Sequence, residues 1–354
     1  MQNISIFNFL KKKISKTELQ KFKKKIKNGS KNIHGIFNPI ENLFNSNIEV
    51  INYTKQLLVE RYVRFGFKKK EIVRILSYLQ GNKKKLPDKN RRYINKKLLN
   101  FHGAYYSSII ENYIPKRYSI TLKYINKILN LKKFKKVVDF GCGTNDLGRI
   151  IAKDEKKIVI GMDVINYSNN FKQKNLKYIK MKNPYDIPVK NFDLLILNGV
   201  IHHVDICHLD KLLFNIQKKM SSKSRVLLFE DSWSKKKLLK DKDLDNKSSK
   251  KLLELGDKYG DKAIIAIYAF LDWIGNILAR NLKNISMPYN FNSDEQWEKI
   301  FLRKGMKLDK KINIGFFKNT LNRQGYVLML YKKVSKKTTN NFSIDDFLSK
   351  YLKN

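Results

Sequence analysis

Cysteine is nearly absent: the 354 residues contain two, Cys142 and Cys207. Two cysteines make no disulfide framework, so a reducing, cytoplasmic setting is the expectation. No apolar run reaches the roughly 18 residues that suggest a membrane span. The nearest, over 263–278, is interrupted by Asp272 and followed by Arg280. It reads as a buried helix or, over 263–281, as a homodimer interface. The first ten residues have no basic stretch ahead of their apolar ones and no small-residue cleavage site after them, so no secretory signal is expected. Arginine is scarce too, at 11 of the 74 basic residues. A net charge of +43 would suit a polyanion. Base-edge and phosphate recognition favour the planar fork of arginine, however, and lysine, asparagine and isoleucine recur everywhere, as an AT-rich genome writes them. The lysine runs at 11–13, 23–25, 68–70, 83–85 and 235–237 therefore read first as solvated faces and second as strips for nucleic acid.

Two phosphate motifs are missing as well. The run Val137-Val138-Asp139-Phe140 reads as a buried parallel strand, and Gly141-Cys142-Gly143 then forces a tight turn before a helical segment through Leu147, Ile150 and Ile151. A dinucleotide fingerprint needs a third glycine where Asp146 stands, and a phosphate-binding loop needs Gly-Lys-Ser/Thr. What remains is a strand, a glycine turn and a helix, with a ligand site made of backbone at the strand's carboxyl end.

This D-x-G-x-G turn resembles that of the class I S-adenosylmethionine (SAM) methyltransferases, in which the turn wraps the amino-acid end of SAM. The resemblance implies cofactor contacts from Asp139, Gly141, Cys142 and Gly143. A second strand, Ile158-Val159-Ile160-Gly161-Met162-Asp163, ends in a carboxylate able to accept from ribose hydroxyls. After a third strand over 176–181, Asn183 stands where the family has an acid that accepts from the adenine amine, or else it is a turn former before Pro184. The stretch from Phe192 to Val204 is similar to the family's fourth strand, whose end faces the transferred methyl group. Asn198 stands there on the cofactor side, followed by His202 and His203. The resemblance makes these two histidines the candidate bases, His203 first, with at most one of them facing the pocket from an extended backbone. Either could instead be structural. A metal set of His202, His203, Cys207 and His208 is not expected, because adjacent histidines rarely converge on one ion and no carboxylate-rich partner motif is visible. The fifth strand ends in Glu230, a substrate or supporting contact, and Asp231, either a ligand contact or a cap for the next helix.

The expected fold is α/β: a seven-stranded, mostly parallel sheet with helices on both faces, closed by an antiparallel seventh strand. Helical periodicity over 48–65 and 71–79 makes 1–97 a helical N-terminal appendage. The methyltransferase domain would run over 98–334 with a helical insertion over 235–290, and a basic tail over 335–354. Before the first strand, Tyr105, Tyr106 and Arg117 could line the pocket or simply pack. The implied activity is methyl transfer from SAM to an oxygen or nitrogen of a small molecule, lipid or sugar. An RNA or protein acceptor is the alternative, and the Asn-Pro-Pro-Tyr/Phe motif of amino-methylating nucleic-acid enzymes is missing. A rival of another class is a catalytically silent binding module on the same fold.

Overall fold

The computed structural model describes residues 38–64, 67–82, 114–165, 173–279, 287–318 and 325–334. Three helices open the described chain: α1 (Pro39–Phe44), α2 (Ile48–Arg64) and α3 (Lys69–Gly81). The Asn38 side chain starts α1 by accepting from the backbone N–H groups of Ile40 and Glu41, and Pro39 fills the first position, where no N–H is needed. The expected helical segments at 48–65 and 71–79 are α2 and α3. Helix α4 (Ile114–Ile128) then leads into β1 (Lys136–Phe140), α5 (Asp146–Ile151), β2 (Ile158–Asp163), β3 (Leu176–Lys180) and β4 (Leu194–Asn198). Helix α6 (Ile206–Lys219), β5 (Arg225–Asp231) and the two-residue β6 (Leu244–Asp245) follow. The insertion supplies α7 (Asn246–Tyr259) and α8 (Asp261–Trp273), and α9 (Asp294–Arg303), β7 (Met306–Phe317) and β8 (Tyr326–Lys333) end the described fold.

The sheet runs β3-β2-β1-β4-β5-β8-β7-β6. Strands β1 to β5 are parallel, β8 lies antiparallel to β5, and β7 antiparallel to β8. That is the expected mostly parallel α/β sheet closed by an antiparallel strand. Among the described residues it has eight strands rather than the expected seven, because Leu244–Asp245 adds a short piece to the outer edge of β7. Two residues are too few for any periodicity to announce. Along the central strands side chains alternate between two apolar layers: Val138, Ile160, Leu195 and Leu228 face one set of helices, and Val137, Val159, Ile196 and Phe229 the other. Both faces are therefore covered, as the near-continuous apolar sequence of β1, β2, β4 and β5 requires.

A third core joins α1, α2 and α3 to the insertion. Every residue of α8 from Ala263 to Trp273 is buried. Phe44 of α1 meets Phe270 edge-on at 5.5 Å between ring centres, and Tyr268 donates to the Ser232 carbonyl and accepts from the Gly325 N–H. The apolar faces of α8 are thus covered within the chain, which removes residues 263–273 as a dimer surface; 280–281 lie outside the described residues. The appendage and insertion read separately from the sequence share one hydrophobic cluster. Their expected boundary near 97 lies outside the described residues, as do Tyr105, Tyr106, the Arg117 side chain and the tail over 335–354. Ser293 and Gln296 form a capping box at the start of α9.

Candidate active site

Strand order reverses between β1 and β4, and at such a switch point an open α/β sheet leaves a crevice outside the strands' carboxyl ends. Gly141 and Gly143 lie on one side of it, both at positive φ (67° and 54°), a region open to glycine at no steric cost. Three successive N–H groups tie this turn to the end of β2. Those of Gly141 and Cys142 donate to the Met162 carbonyl at 2.7 and 3.1 Å, and that of Gly143 to Asp163 Oδ2 at 2.9 Å. Asp163 Oδ1 accepts from Ile165 N–H at 2.9 Å, so the candidate ribose acid also braces the turn. Burial raises the pKa of Asp163, against the N–H groups of Ile165, Gly143 and Val164. Asp139, fully buried behind the turn, is pushed up to about 7 by burial and by the Asp163 charge, opposed by the Gly148 N–H. Cys142 is buried and its thiol is held far above its ordinary range by the same desolvation and the two aspartates.

Two residues that sequence reasoning did not single out shape this turn. A side-chain carbon on Gly141 would lie 2.1 Å from Val200 Cγ2, so the loop after β4 fixes that glycine from behind. Nothing lies within 4 Å of the same position on Gly143, which faces open space. Asn145, left-handed at φ 56° and buried, fills the gap where Gly148 and Gly161 leave room for it. Its one sequence signal is the pairing of a turn-forming asparagine with glycines at those two positions. Asn183 is exposed in the turn after β3, its carbonyl accepting from Asp186 N–H. Asn198 ends β4 with its Oδ1 buried and no hydrogen-bond partner among the described residues.

The other side of the crevice is built by β4, β5 and α8. Residues Ile201 to His203 form a 3-10 turn rather than extended chain, which overturns the expectation that the two histidines face opposite ways. Their rings lie 4.0 Å apart between centres, and both approach the carboxylate of Asp272. His202, 2% exposed, is clamped by the Phe291 ring stacked at 4.9 Å and by Glu230 Oε1 at 2.5 Å from its Nδ1. Glu230 is fully buried. Its Oε2 accepts from Val200 and Ile201 N–H at 3.2 and 2.9 Å, and its Oε1 from Asp231 N–H at 2.8 Å. Burial opposes charge on His202, and Glu230 and Asp272 override it, holding the imidazole well above its usual range.

Asp231 ends β5 opposite Tyr326 and approaches His202 Nε2 at 3.9 Å. Among the described helices it is not a cap; Asp245 caps α7. Asp272 comes from α8: its Oδ1 is 3.8 Å from His202 Nε2 and 3.9 Å from His203 Nε2. In the sequence Asp272 is only a charge interrupting an apolar run. His208 stands apart, packed against Tyr185 at 4.9 Å, and the Cys207 side chain lies outside the described residues.

No protein-family model matches the chain, and no curated protein matches it. Several solved structures are similar in fold. N,N-8-amino-8-demethyl-D-riboflavin dimethyltransferase from Streptomyces davawensis is 12% identical over 82% of this chain and 71% of its own, with a TM-score of 0.43. The 1,6-didemethyltoxoflavin-N1-methyltransferase of Burkholderia thailandensis, holding 1,6-didemethyltoxoflavin and S-adenosylhomocysteine, is 9% identical over 71% and 92% with a TM-score of 0.40. A pericyclic reaction enzyme is 12% identical over 58% of this chain, with a TM-score of 0.37, and the match spans only 47% of that enzyme. Likeness at this level concerns architecture and leaves the reaction to be argued from the site. Among the described residues no helix is long and apolar enough to cross a membrane.

Proposed function

We propose that the protein is a SAM-dependent methyltransferase acting on an oxygen or nitrogen of a small-molecule acceptor. The observation that carries this reading is the glycine turn at the switch point, with two positive-φ glycines braced by the acid that ends β2. Asp139, Gly141, Cys142 and Gly143 would hold the amino-acid end of SAM. Asp163 would take the ribose: an ionised carboxylate has about four acceptor sites, and two hydrogen bonds to backbone leave capacity for hydroxyls. Asn183 would accept from the adenine amine, and the unpartnered Asn198 Oδ1 would meet a donor of the cofactor at the end of β4.

The sulfonium already activates the methyl group, so catalysis is mainly in-line positioning, with help where the acceptor must lose a proton. His203, His202 and Glu230 form the wall where that help is needed. A small acceptor is favoured over a nucleic-acid base because Asn198-Gly199-Val200-Ile201 stands at the end of β4 in place of the Asn-Pro-Pro-Tyr/Phe motif.

The test is thermal unfolding of the purified chain with SAM and with S-adenosylhomocysteine. Ligand binding to the native state raises the apparent stability by RT ln(1 + [L]/Kd), about 2.7 kcal/mol at a hundredfold excess over Kd. The expected result is a rise with both ligands. No shift with either, at millimolar ligand, overturns the reading and leaves the silent binding module.

A further inference from the structure

We propose that His202, His203 and Asp272 bind a divalent transition-metal ion, with Asp231 the nearest further ligand. The site rests on geometry alone. Its use, gripping an oxygen or nitrogen of the acceptor, rests on the methyl-transfer reading.

The argument starts at His202 Nε2, which is buried and has no hydrogen-bond partner among the described residues. The other ring nitrogen faces Glu230, whose oxygens already accept from three backbone N–H groups, so Nδ1 carries the hydrogen of that contact. A neutral ring then aims a lone pair at two carboxylates. A doubly protonated ring aims an N–H whose nearest carboxylate oxygens are 3.8 and 3.9 Å away, beyond hydrogen-bond reach. A cation in the gap between that nitrogen and the two carboxylates would lie within reach of all three groups at once.

The spacing fits such an ion. Imidazole nitrogens and carboxylate oxygens bind zinc at about 2.0–2.2 Å, which sets tetrahedral neighbours about 3.4 Å apart. One donor atom from each of His202, His203 and Asp272 lies within 4.8 Å of the other two, so side-chain rotation of about 1 Å or less at each donor brings the three to ligand spacing. The supports are those that metal ligands ordinarily have. Glu230 orients the His202 ring, and Asn276 Nδ2 donates to Asp272 Oδ1 at 2.7 Å. Helix α8 changes to π-helix at Ile274, immediately after the turn carrying Asp272; such irregularities accompany functional sites. Two imidazoles with carboxylates suit zinc, cobalt, iron or manganese rather than magnesium or calcium.

The experiment is titration of the full chain, stripped with EDTA and kept free of SAM, with Co2+ and then Zn2+. The expected result is a visible cobalt spectrum of low-symmetry coordination, displaced by zinc at one equivalent, with bound zinc confirmed by elemental analysis after dialysis. His203→Ala and Asp272→Asn should each weaken zinc by about tenfold or more, and Glu230→Gln by roughly ten- to a hundredfold. Should Asp272→Asn fail to fold, His203→Ala, at a half-buried position, decides alone. Absence of bound metal at micromolar zinc overturns the proposal, as it would if a water bridges the gap. So does zinc retained equally by His203→Ala. SAM-induced thermal shift, measured separately on the same samples, keeps failure of the metal site distinct from failure of the methyl-transfer reading.

Discussion

The two sides of the crevice are built on opposite plans. On the β1/β2 side the parts are backbone: three N–H groups of one turn satisfied by the end of the neighbouring strand, with Asp163 holding the turn. On the β4/β5 side the parts are side chains from three separate elements, gathered on one buried carboxylate, Glu230, and one helix of the insertion. The difference teaches where each is fragile. The first side fails when a side chain is added. The second fails when one is removed.

The largest effect should come from removing Glu230. Glu230→Ala leaves His202 and the N–H groups of Val200, Ile201 and Asp231 without their partner in a dry interior. A loss of about 3–5 kcal/mol is expected, read as a lowered urea midpoint. A loss within 1 kcal/mol would mean that the second side is not organised around this carboxylate.

Next comes Gly141→Ala. The added carbon meets Val200 and holds a left-handed conformation, so a cost of about 2–4 kcal/mol is expected from overpacking and backbone strain together. The double variant with Val200→Ala should recover the overpacking share. If it recovers nothing, the two sides are not coupled through Val200.

Asp163→Ala acts on the ligand more than on the fold. SAM affinity should fall by about tenfold or more, roughly 1.4 kcal/mol, because charge-assisted hydrogen bonds to the ribose are lost. Calorimetry giving an unchanged Kd would end the assignment of Asp163 to the ribose.

The smallest effect sharpens the first side. Asp139 in the folded chain titrates at about 7, against an unfolded value near 3.8. The folded state thus holds the proton more tightly, and its contribution to stability, full below about pH 4, is lost as pH rises towards 7. If the ionised form is the one that receives the cationic end of SAM, affinity should rise about threefold between pH 6.5 and 7.5, following the ionised fraction. Binding in that window should release part of a proton, measurable by calorimetry in buffers of different ionisation enthalpy. Asp139→Asn should abolish the release, and a release that persists places the titrating group elsewhere.

The first side was almost wholly legible in the sequence. Asp139, Gly141, Gly143 and Asp163 lie on consecutive elements, and strand, turn and strand fix their relation through local hydrogen bonds. What local reading missed there was what lies behind the turn: Val200 comes from the loop after β4, and Asn145 fills a space that glycine at 148 and 161 only hints at. On the second side the residues were legible and their arrangement was not. His202, His203, Glu230 and Asp231 stand out as polar groups at strand ends, yet the extended chain assumed for the histidines is a 3-10 turn, which brings both rings to one carboxylate.

By itself the sequence determined the strands, the switch point and the glycine turn, because periodicity and glycine conformation act over a few residues. It determined that 263–273 must be buried, since that run is apolar on most faces. Only the tertiary structure decided what buries it. The N-terminal helices and the insertion close on each other as one core, and a contact between segments so far apart in the chain leaves no mark in either. The same closure carries Asp272 to the ends of β4 and β5, placing a charge that merely interrupted an apolar run within 3.9 Å of two imidazoles.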